Sequence, residues 1–381
     1  MKIVSLNIHF WSNEEGKFAG AELFDFIASL DRDVYCLQEV YYSAGMLAKG
    51  TNTFDEQKRG TPVKISCESL HINSLSVCVD TTSDSLLRKS LLRMLGLPKA
   101  QQYELIDMFG IPVKADTVSK DSEYTLQLAK DTALVDHWAH PNQLIEGTAL
   151  SMLAKRLQCP YAVFSGTDSP NFGNCILSKF PFTQTHTAYL PLPESFKRDW
   201  GSRTLTSALI ETPVREADRD REREAGSEND CSGKVWVHCT HLDHVSEDAR
   251  MVQIKEAVES MPSAHAHDSL PAVLVGDFNA LLRTDYTDEQ WAEIKRIRGQ
   301  SKWEEPKGDV LTEILSQGWY DSCQISPLGT VSGSVAGTCR FGTRIDYVLV
   351  SHKLLRNVRT YKIVATETTD HNAVCVKVDI V

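Results

Sequence analysis

Several short segments of this sequence carry an acid, an amide or an imidazole at the edge of a run that reads as a β-strand. Asn7 closes MKIVSLN and Glu39 closes DVYCLQE; His241 ends VWVHCTH; Asp277 and Asn279 follow PAVLVG; Asp346 opens DYVLV; Asp370 and His371 directly precede NAVCVKV. Side chains alternate along an extended chain, so positions two apart face the same way, and Asp277 and Asn279 are expected to point into one cleft. Carboxylate and amide oxygens are hard donors of the kind that hold Mg²⁺ or Mn²⁺, and a carboxylate beside an imidazole favours its charged form. Each position alone has a plainer reading: Asn7 as a turn residue, Glu39 as a surface charge, either histidine as a satisfied core imidazole. The set points to a site because ligand groups of α/β proteins gather on strand ends, where a rigid scaffold brings distant segments together.

The elements that must position these groups follow from the apolar patterning. MKIVSLNI is β-branched without a helix cap and reads as a strand. Residues 20–30 carry apolar positions at helical spacing, and DVYCLQEV returns to a strand. NFGNCILSKFPF, SALIET and VWVHCTHL read as further strands, SEDARMVQIKEAVESM as a helix and PAVLVGD as a strand. A helix near 308–317 and the strands RIDYVLVS and NAVCVKVDI complete the alternation.

Two stretches stand apart. Residues 213–233 mix charges with almost nothing apolar and read as a flexible solvated loop. Residues 41–140 contain an amphipathic helix candidate, SDSLLRKSLLRMLG, but no recognisable chemistry, and read as an insertion folded against one large domain spanning 1–381.

The 381 residues are 42% hydrophobic, enough for a sizeable core. With 40 Lys and Arg against 51 Asp and Glu, the net charge is −11, which argues against coating nucleic acid or anionic membrane by bulk charge. A phosphate-bearing ligand must be held locally. No apolar run is long enough for a membrane span and no leader pattern is seen, so a soluble intracellular protein, cytoplasmic or nuclear, is expected. Of the ten cysteines, Cys36, Cys175, Cys239 and Cys375 sit in strand-like runs and read as buried thiols rather than a disulfide framework. No Cys/His spacing suggests zinc.

LNIHF, LQEV, GNCILSKFPF, THLDH followed by EDARMVQ, GDFNA, RIDYVLVS and TDHNAV occur in this order. Together they resemble the signature segments of the endonuclease/exonuclease/phosphatase superfamily. The resemblance implies a four-layer α/β sandwich of two mixed β-sheets flanked by helices, here with a long insertion. It implies a divalent-metal-dependent phosphoesterase, a phosphodiesterase or nuclease in the first instance, using Mg²⁺ or Mn²⁺ on a phosphate ester such as nucleic acid. By the same resemblance Glu39 is the principal metal ligand, helped by Asn7 and Asp370. Asp277 orients or deprotonates the attacking water, and Asn279 binds a non-bridging oxygen. His371 and His241 contact the phosphate, and Asp346 fixes the His371 tautomer. Asn174 lies near a further phosphate-side amide of the family. Such chemistry consists largely of positioning an in-line water and stabilising charge on the phosphoryl oxygens.

The sequence departs from the family at three places. Some members carry an acid where His9 stands, so ligation from the first strand rests on Asn7. The arginine-containing signature of inositol-phosphatase-like members is absent, which disfavours a phosphoinositide headgroup. No carboxylate partner for the first imidazole is identifiable near GNCILSK, leaving the role of His241 open.

Outside the motifs, His137, Trp138 and His140 read as a packed surface cluster rather than a second metal site. Lys197, Arg198, Trp200 and Arg203 form a cation–aromatic mixture able to hold phosphate and stack a base, against an ordinary charged loop. Arg250 and Gln253, one turn apart, are expected to anchor their helix to the site loop. Arg344 shares a face with Asp346, and a salt bridge competes evenly with a phosphate contact. A sphingomyelinase-like or small-molecule phosphoesterase is the second reading; it predicts an apolar patch supplied by 84–97. A catalytically silent binding module is the third. No obligate protein partner is evident, and a monomer is expected.

Overall fold

Strands buried on both faces lose the polar alternation of a half-exposed sheet and become nearly continuous apolar runs. That is the pattern of the runs above, and in the computed structural model they form two sheets packed face to face. The structure describes residues 1–13, 19–41, 149–167, 172–193, 196, 202–213, 233–262, 270–327 and 336–380. The expected insertion over 41–140, the loop 213–233 and the helix candidate 84–97 fall almost entirely outside these residues, as do His137, Trp138, His140, Lys197, Arg198 and Trp200.

The first sheet contains β1 (Lys2–Asn7), β2 (Val34–Tyr41), β3 (Tyr161–Gly166), β4 (Phe172–Ser178), β11 (Val358–Val364) and β12 (Ala373–Val378), in the order β11-β12-β1-β2-β4-β3. The second contains β5 (Phe182–Leu190), β6 (Arg203–Glu211), β7 (Lys234–His241), β8 (Ala272–Asp277), β9 (Trp319–Asp321) and β10 (Asp346–Ser351), in the order β5-β6-β7-β8-β10-β9. Both sheets are mixed: β1 runs parallel to β2 and β7 parallel to β8, while the remaining pairs are antiparallel.

Alternation along each strand divides the core into layers. Ile3, Val34, Cys36 and Val163 of the first sheet meet Val237, Val273, Val275 and Val348 of the second between the sheets. Val4, Leu6, Tyr35 and Leu37 face outward onto α1 (Gly20–Ser29) and α2 (Ala149–Arg156). Leu274, Tyr347 and Leu349 face α3 (Glu247–Ser260) and α5 (Asp309–Ser316) on the other side. The result is the expected helix–sheet–sheet–helix sandwich. α2, β3, β5, β9, β11 and α4 (Asp288–Gln300) have no counterpart in the elements read from sequence. α4 has little apolar periodicity, burying Trp291 alone, and is started by a capping box between Thr287 and Gln290.

Cys36, Cys159, Cys175, Cys239, Cys323, Cys339 and Cys375 are free and buried, as expected for a core without disulfides. Among the described residues no helix is long and apolar enough to cross a membrane.

Candidate active site

Strand direction explains why site residues close the early strands and open the late ones. β1 and β2 run in parallel, so Asn7 at the end of β1 lies beside Gln38, next to Glu39. β7 and β8 run in parallel, so His241 lies beside Asp277. β10 runs antiparallel to β8, which places its first residue, Asp346, opposite Asp277, the last of β8. β12 runs antiparallel to β1, bringing Asp370 and His371 to the same end. One end of the sandwich thus collects groups from both sheets.

Backbone irregularities aim these groups. Glu39 has φ 54° and sits where the β2–β4 register slips, turning its carboxylate away from ordinary strand alternation. Asn279 has φ 50°, in the left-handed region that asparagine tolerates better than most residues. Gly276 is required by close approach: a Cβ there would lie 1.9 Å from the Thr240 carbonyl oxygen.

Asn7 joins two of the acids. Its Nδ2 donates to Glu39 Oε1 and to Asp277 Oδ2, both at 3.1 Å, while its Oδ1 accepts the His9 backbone N–H at 2.9 Å. That last bond fixes which end of the amide is oxygen. The Asn7 amide nitrogen thus faces the acids and orients them, and its oxygen accepts from backbone. Thr369 Oγ1 donates to the Asn7 carbonyl at 2.9 Å, tying the strand end to the Asp370 loop.

Asp277 lies between two imidazoles. His241 Nε2 is 3.7 Å and His371 Nε2 3.8 Å from Asp277 Oδ2, and His241 Nε2 is also 3.8 Å from Glu39 Oε1. Asp277 Oδ1 accepts the Asn279 N–H at 2.8 Å, and Asn279 Nδ2 donates to the Leu242 carbonyl at 3.1 Å. His371 Nδ1 donates to Asp346 Oδ2 at 2.9 Å. Asp370 Oδ1 is 4.0 Å from His371 Nε2 and 3.7 Å from His9 Nδ1.

Burial and neighbouring charge drive the ionisable groups apart. Burial and repulsion from Asp346 push Asp277 up to about 7, against the opposing pull of His371, Asn7 and the Asn279 N–H. Burial would discharge His371, but Asp346, Asp277 and Asp370 outweigh it and hold the ring well above its ordinary value. His241 goes the other way. Burial, then Arg203, His244 and His371, lower it well below the ordinary value, outweighing the two carboxylates near its Nε2. The site thus pairs a charged imidazole with a neutral one.

Oxygens without protein partners mark where a cation fits. Glu39 Oε2, Asp346 Oδ1 and Asp370 Oδ1 are buried without a hydrogen bond. A buried, unsatisfied carboxylate oxygen is costly, so a hard cation is the natural complement. Among the described residues, Asp277, Asp346 and His371 offer ligand atoms within 4.8 Å of one another. The bond from His371 Nδ1 to Asp346 leaves Nε2 as the ring atom that faces Asp277, so the trio fits either a cation or a shared proton.

Three other residues read from sequence take different positions. Asn174 is buried, and its Nδ2 donates to the Thr204 carbonyl at 2.9 Å, bridging β4 of one sheet to β6 of the other. In this position the Asn174 amide ties the two sheets together. Of the two readings for Arg344, the salt bridge is the one observed: the side chain is 1% exposed and ion-paired to Asp285 and Asp321 at 2.7 and 2.6 Å. Arg203, 6% exposed at the start of β6, places Nη2 3.3 Å from His244 Nδ1 and acts electrostatically on His241.

Arg250 and Gln253 anchor the site loop: Arg250 Nη1 donates to the Asp243 carbonyl at 3.0 Å, and Gln253 Oε1 accepts the Asp243 N–H at 2.8 Å. Sequence reading missed Asp243, whose Oδ1 accepts from the Val245 and Ser246 N–H groups. It also missed Thr338, whose Oγ1 accepts from the Ile345 and Asp346 N–H groups. Only the placement of Asp243 inside THLDH hinted at either.

The family profile described as "Endonuclease/Exonuclease/phosphatase family" matches residues 11–371. The chain belongs to the endonuclease/exonuclease/phosphatase family. Its members are phosphoester hydrolases, nucleases and phosphatases among them. Among solved structures similar to this family member is an endonuclease/exonuclease/phosphatase from Beutenbergia cavernae DSM 12333, 15% identical, covering 100% of this chain and 71% of that one at a TM-score of 0.48. A family protein from Leptotrichia buccalis C-1013-b is 15% identical, with both chains fully covered and a TM-score of 0.48. An AP endonuclease from Archaeoglobus fulgidus is 13% identical, again with full coverage of both and a TM-score of 0.48. No curated protein matches this endonuclease/exonuclease/phosphatase chain.

Proposed function

We propose that this protein hydrolyses phosphodiesters with Mg²⁺ or Mn²⁺, acting on nucleic acid or a nucleic-acid end. The observation that carries the reading is the position of Asp277: one buried acid, fixed by Asn7 and the Asn279 N–H, with two histidine Nε2 atoms 3.7 and 3.8 Å from the same oxygen. Those gaps exceed a hydrogen bond, and they leave space in which substrate or water oxygens complete the contacts.

Asp277 orients the attacking water and takes up its proton. His371, charged and held through Nδ1 by Asp346, donates to a phosphoryl oxygen, where an imidazolium supplies both charge and a hydrogen bond. His241 contacts a second phosphoryl oxygen as a neutral ring. Asn279 keeps one amide hydrogen beyond its bond to Leu242 and directs it at a non-bridging oxygen. Glu39 and Asp370, with their unsatisfied buried oxygens, would hold the cation, and Asn7 keeps Glu39 in place. A dication so bound supplies Lewis-acid stabilisation of charge on the phosphoryl group.

The test is a panel of phosphate esters assayed with Mg²⁺: single- and double-stranded DNA, abasic DNA, RNA, 5′-tyrosyl DNA, sphingomyelin and inositol phosphates, with Asp277→Asn as control. Turnover of a nucleic-acid phosphodiester that disappears in the control is expected. Turnover confined to the lipid or to inositol phosphates would overturn the substrate class, and turnover surviving in Asp277→Asn would overturn the mechanism.

A further inference from the structure

Trp303 and Phe341 are exposed aromatics, 47% and 54% accessible, yet neither belongs to a floppy surface chain. Their rings meet edge to face, with centroids 5.0 Å apart and planes at 83°. The Arg340 guanidinium lies 4.8 Å from the Phe341 centroid, and its Nε is 4.0 Å from Asp370 Oδ2. The backbone N–H of Arg340 donates to the Asp370 carbonyl at 2.9 Å, and Cys339, one residue earlier, forms an isolated β-bridge with His371. A line of adjoining groups thus leads from Asp370 through Arg340 and Phe341 to Trp303.

Rigid supports hold both rings in water. Cys339 packs in a small core with Trp291 of α4, Leu281 and Ile345. The Trp303 N–H donates to the Arg298 carbonyl at 2.8 Å, closing the turn after α4. The next residue, Glu304, accepts from Arg250 Nη2 at 2.9 Å and from the Glu247 N–H at 2.6 Å. An apolar pair pinned on the surface is unfavourable in the free protein, and a ligand that stacks on it recovers the exposed area.

We infer that Trp303, Phe341 and Arg340 form a subsite for the nucleotide flanking the scissile phosphate, with its base stacked on the aromatic pair and a phosphate oxygen against the guanidinium. The inference rests on the phosphodiesterase reading and specifies its substrate. The chemistry favours a nucleotide over an acyl chain because a guanidinium sits within the platform, where a hydrocarbon tail would strip it of water without a partner. A base offers a flat π-face to the rings, and its phosphate offers a counter-charge to Arg340. Bases of every kind have such a face, so the subsite selects nucleotides without selecting sequence.

The full-length protein with Trp303→Ala or Phe341→Ala is assayed with Mg²⁺ on a short single-stranded oligonucleotide and on a phosphodiester lacking any ring, with Trp303→Phe and Phe341→Tyr as conservative variants. Each alanine is expected to raise KM for the oligonucleotide roughly 5- to 100-fold, the range of one lost base stack, with kcat little changed. KM for the ring-free ester should stay constant, and the conservative variants should recover most of the oligonucleotide affinity. Unchanged oligonucleotide KM in both alanine variants would overturn the inference, as would an equal loss on both esters. A platform whose removal affects only vesicle-bound or sugar-phosphate substrates would exclude the nucleotide. Binding of the same oligonucleotide to Asp277→Asn, with and without Trp303→Ala, tests the subsite without turnover. A loss confined to the double variant supports the subsite even if the proposed hydrolysis fails, and equal binding overturns it even if hydrolysis is confirmed.

Discussion

His371 and Asp346 are joined by a 2.9 Å hydrogen bond between Nδ1 and Oδ2, and Asp346 is paired in register with Asp277, whose Oδ2 lies 3.8 Å from the other nitrogen of the same ring. One imidazole therefore spans two acids from antiparallel strands of one sheet. The first acid fixes the tautomer; the second lies beside the ring's other nitrogen.

Asp277→Asn removes the proposed base and keeps the shape. We expect kcat to fall at least 100-fold with the melting temperature within a few degrees of the parent, read by steady-state kinetics and thermal denaturation. Retained turnover would remove Asp277 from the proton transfer.

Asp346→Asn tests how His371 is held. The amide can still bond Nδ1, but it cannot sustain the charged ring, so kcat is expected to fall 10- to 1,000-fold. His371→Ala should be at least as severe. A histidine variant milder than the Asp346 variant would show that the acid acts on something other than this ring.

Chelation should abolish activity, and added Mg²⁺ or Mn²⁺ should restore it. In Glu39→Gln the metal concentration for half-maximal rate should rise about 10-fold or more, since a neutral amide replaces the carboxylate with the unsatisfied oxygen. Turnover indifferent to chelator would dismiss the cation.

Arg344→Met leaves Asp285 and Asp321 buried without their shared counter-charge. A loss of about 3–5 kcal/mol in unfolding free energy is expected, with KM unchanged at temperatures where the variant is folded. A KM effect without destabilisation would return Arg344 to substrate binding.

His238 carries a pH dependence separable from catalysis. It is fully buried against Ser207, and burial, with His186, lowers it from 6.5 to about 3. The unfolded chain binds a proton below about 6.5 that the folded chain refuses until about 3, so stability falls as pH drops through that window. Between pH 7 and 5 the contribution is roughly 2 kcal/mol. Denaturant unfolding of His238→Gln should show a shallower decline than the parent over that range; parallel curves would contradict the assignment.

Much of this architecture is visible in one dimension. Doubly buried strands must be apolar on both faces, so β1, β7, β8 and β10 announce themselves as runs, and the acids, amides and histidines that interrupt those runs at their ends stand out. α4 was not visible because it buries a single aromatic and takes its start from a capping box. β11 was not visible because only two of its seven residues, Val358 and Tyr361, are buried.

What the order of residues determined was which chemical groups exist and which strand end carries each. Chain direction, register and burial decided the rest. Only the parallel and antiparallel pairings bring Asn7, Glu39, His241, Asp277, Asp346 and His371 to one end of the sandwich. The fold alone turns Asn7 into a donor between two acids and uses Asn174 to join the sheets. Arg344 is likewise committed to two buried aspartates. A side chain's role depends on which partner its polar atoms meet and how much water remains around them. Both are properties of packed elements distant in sequence, which no local pattern records.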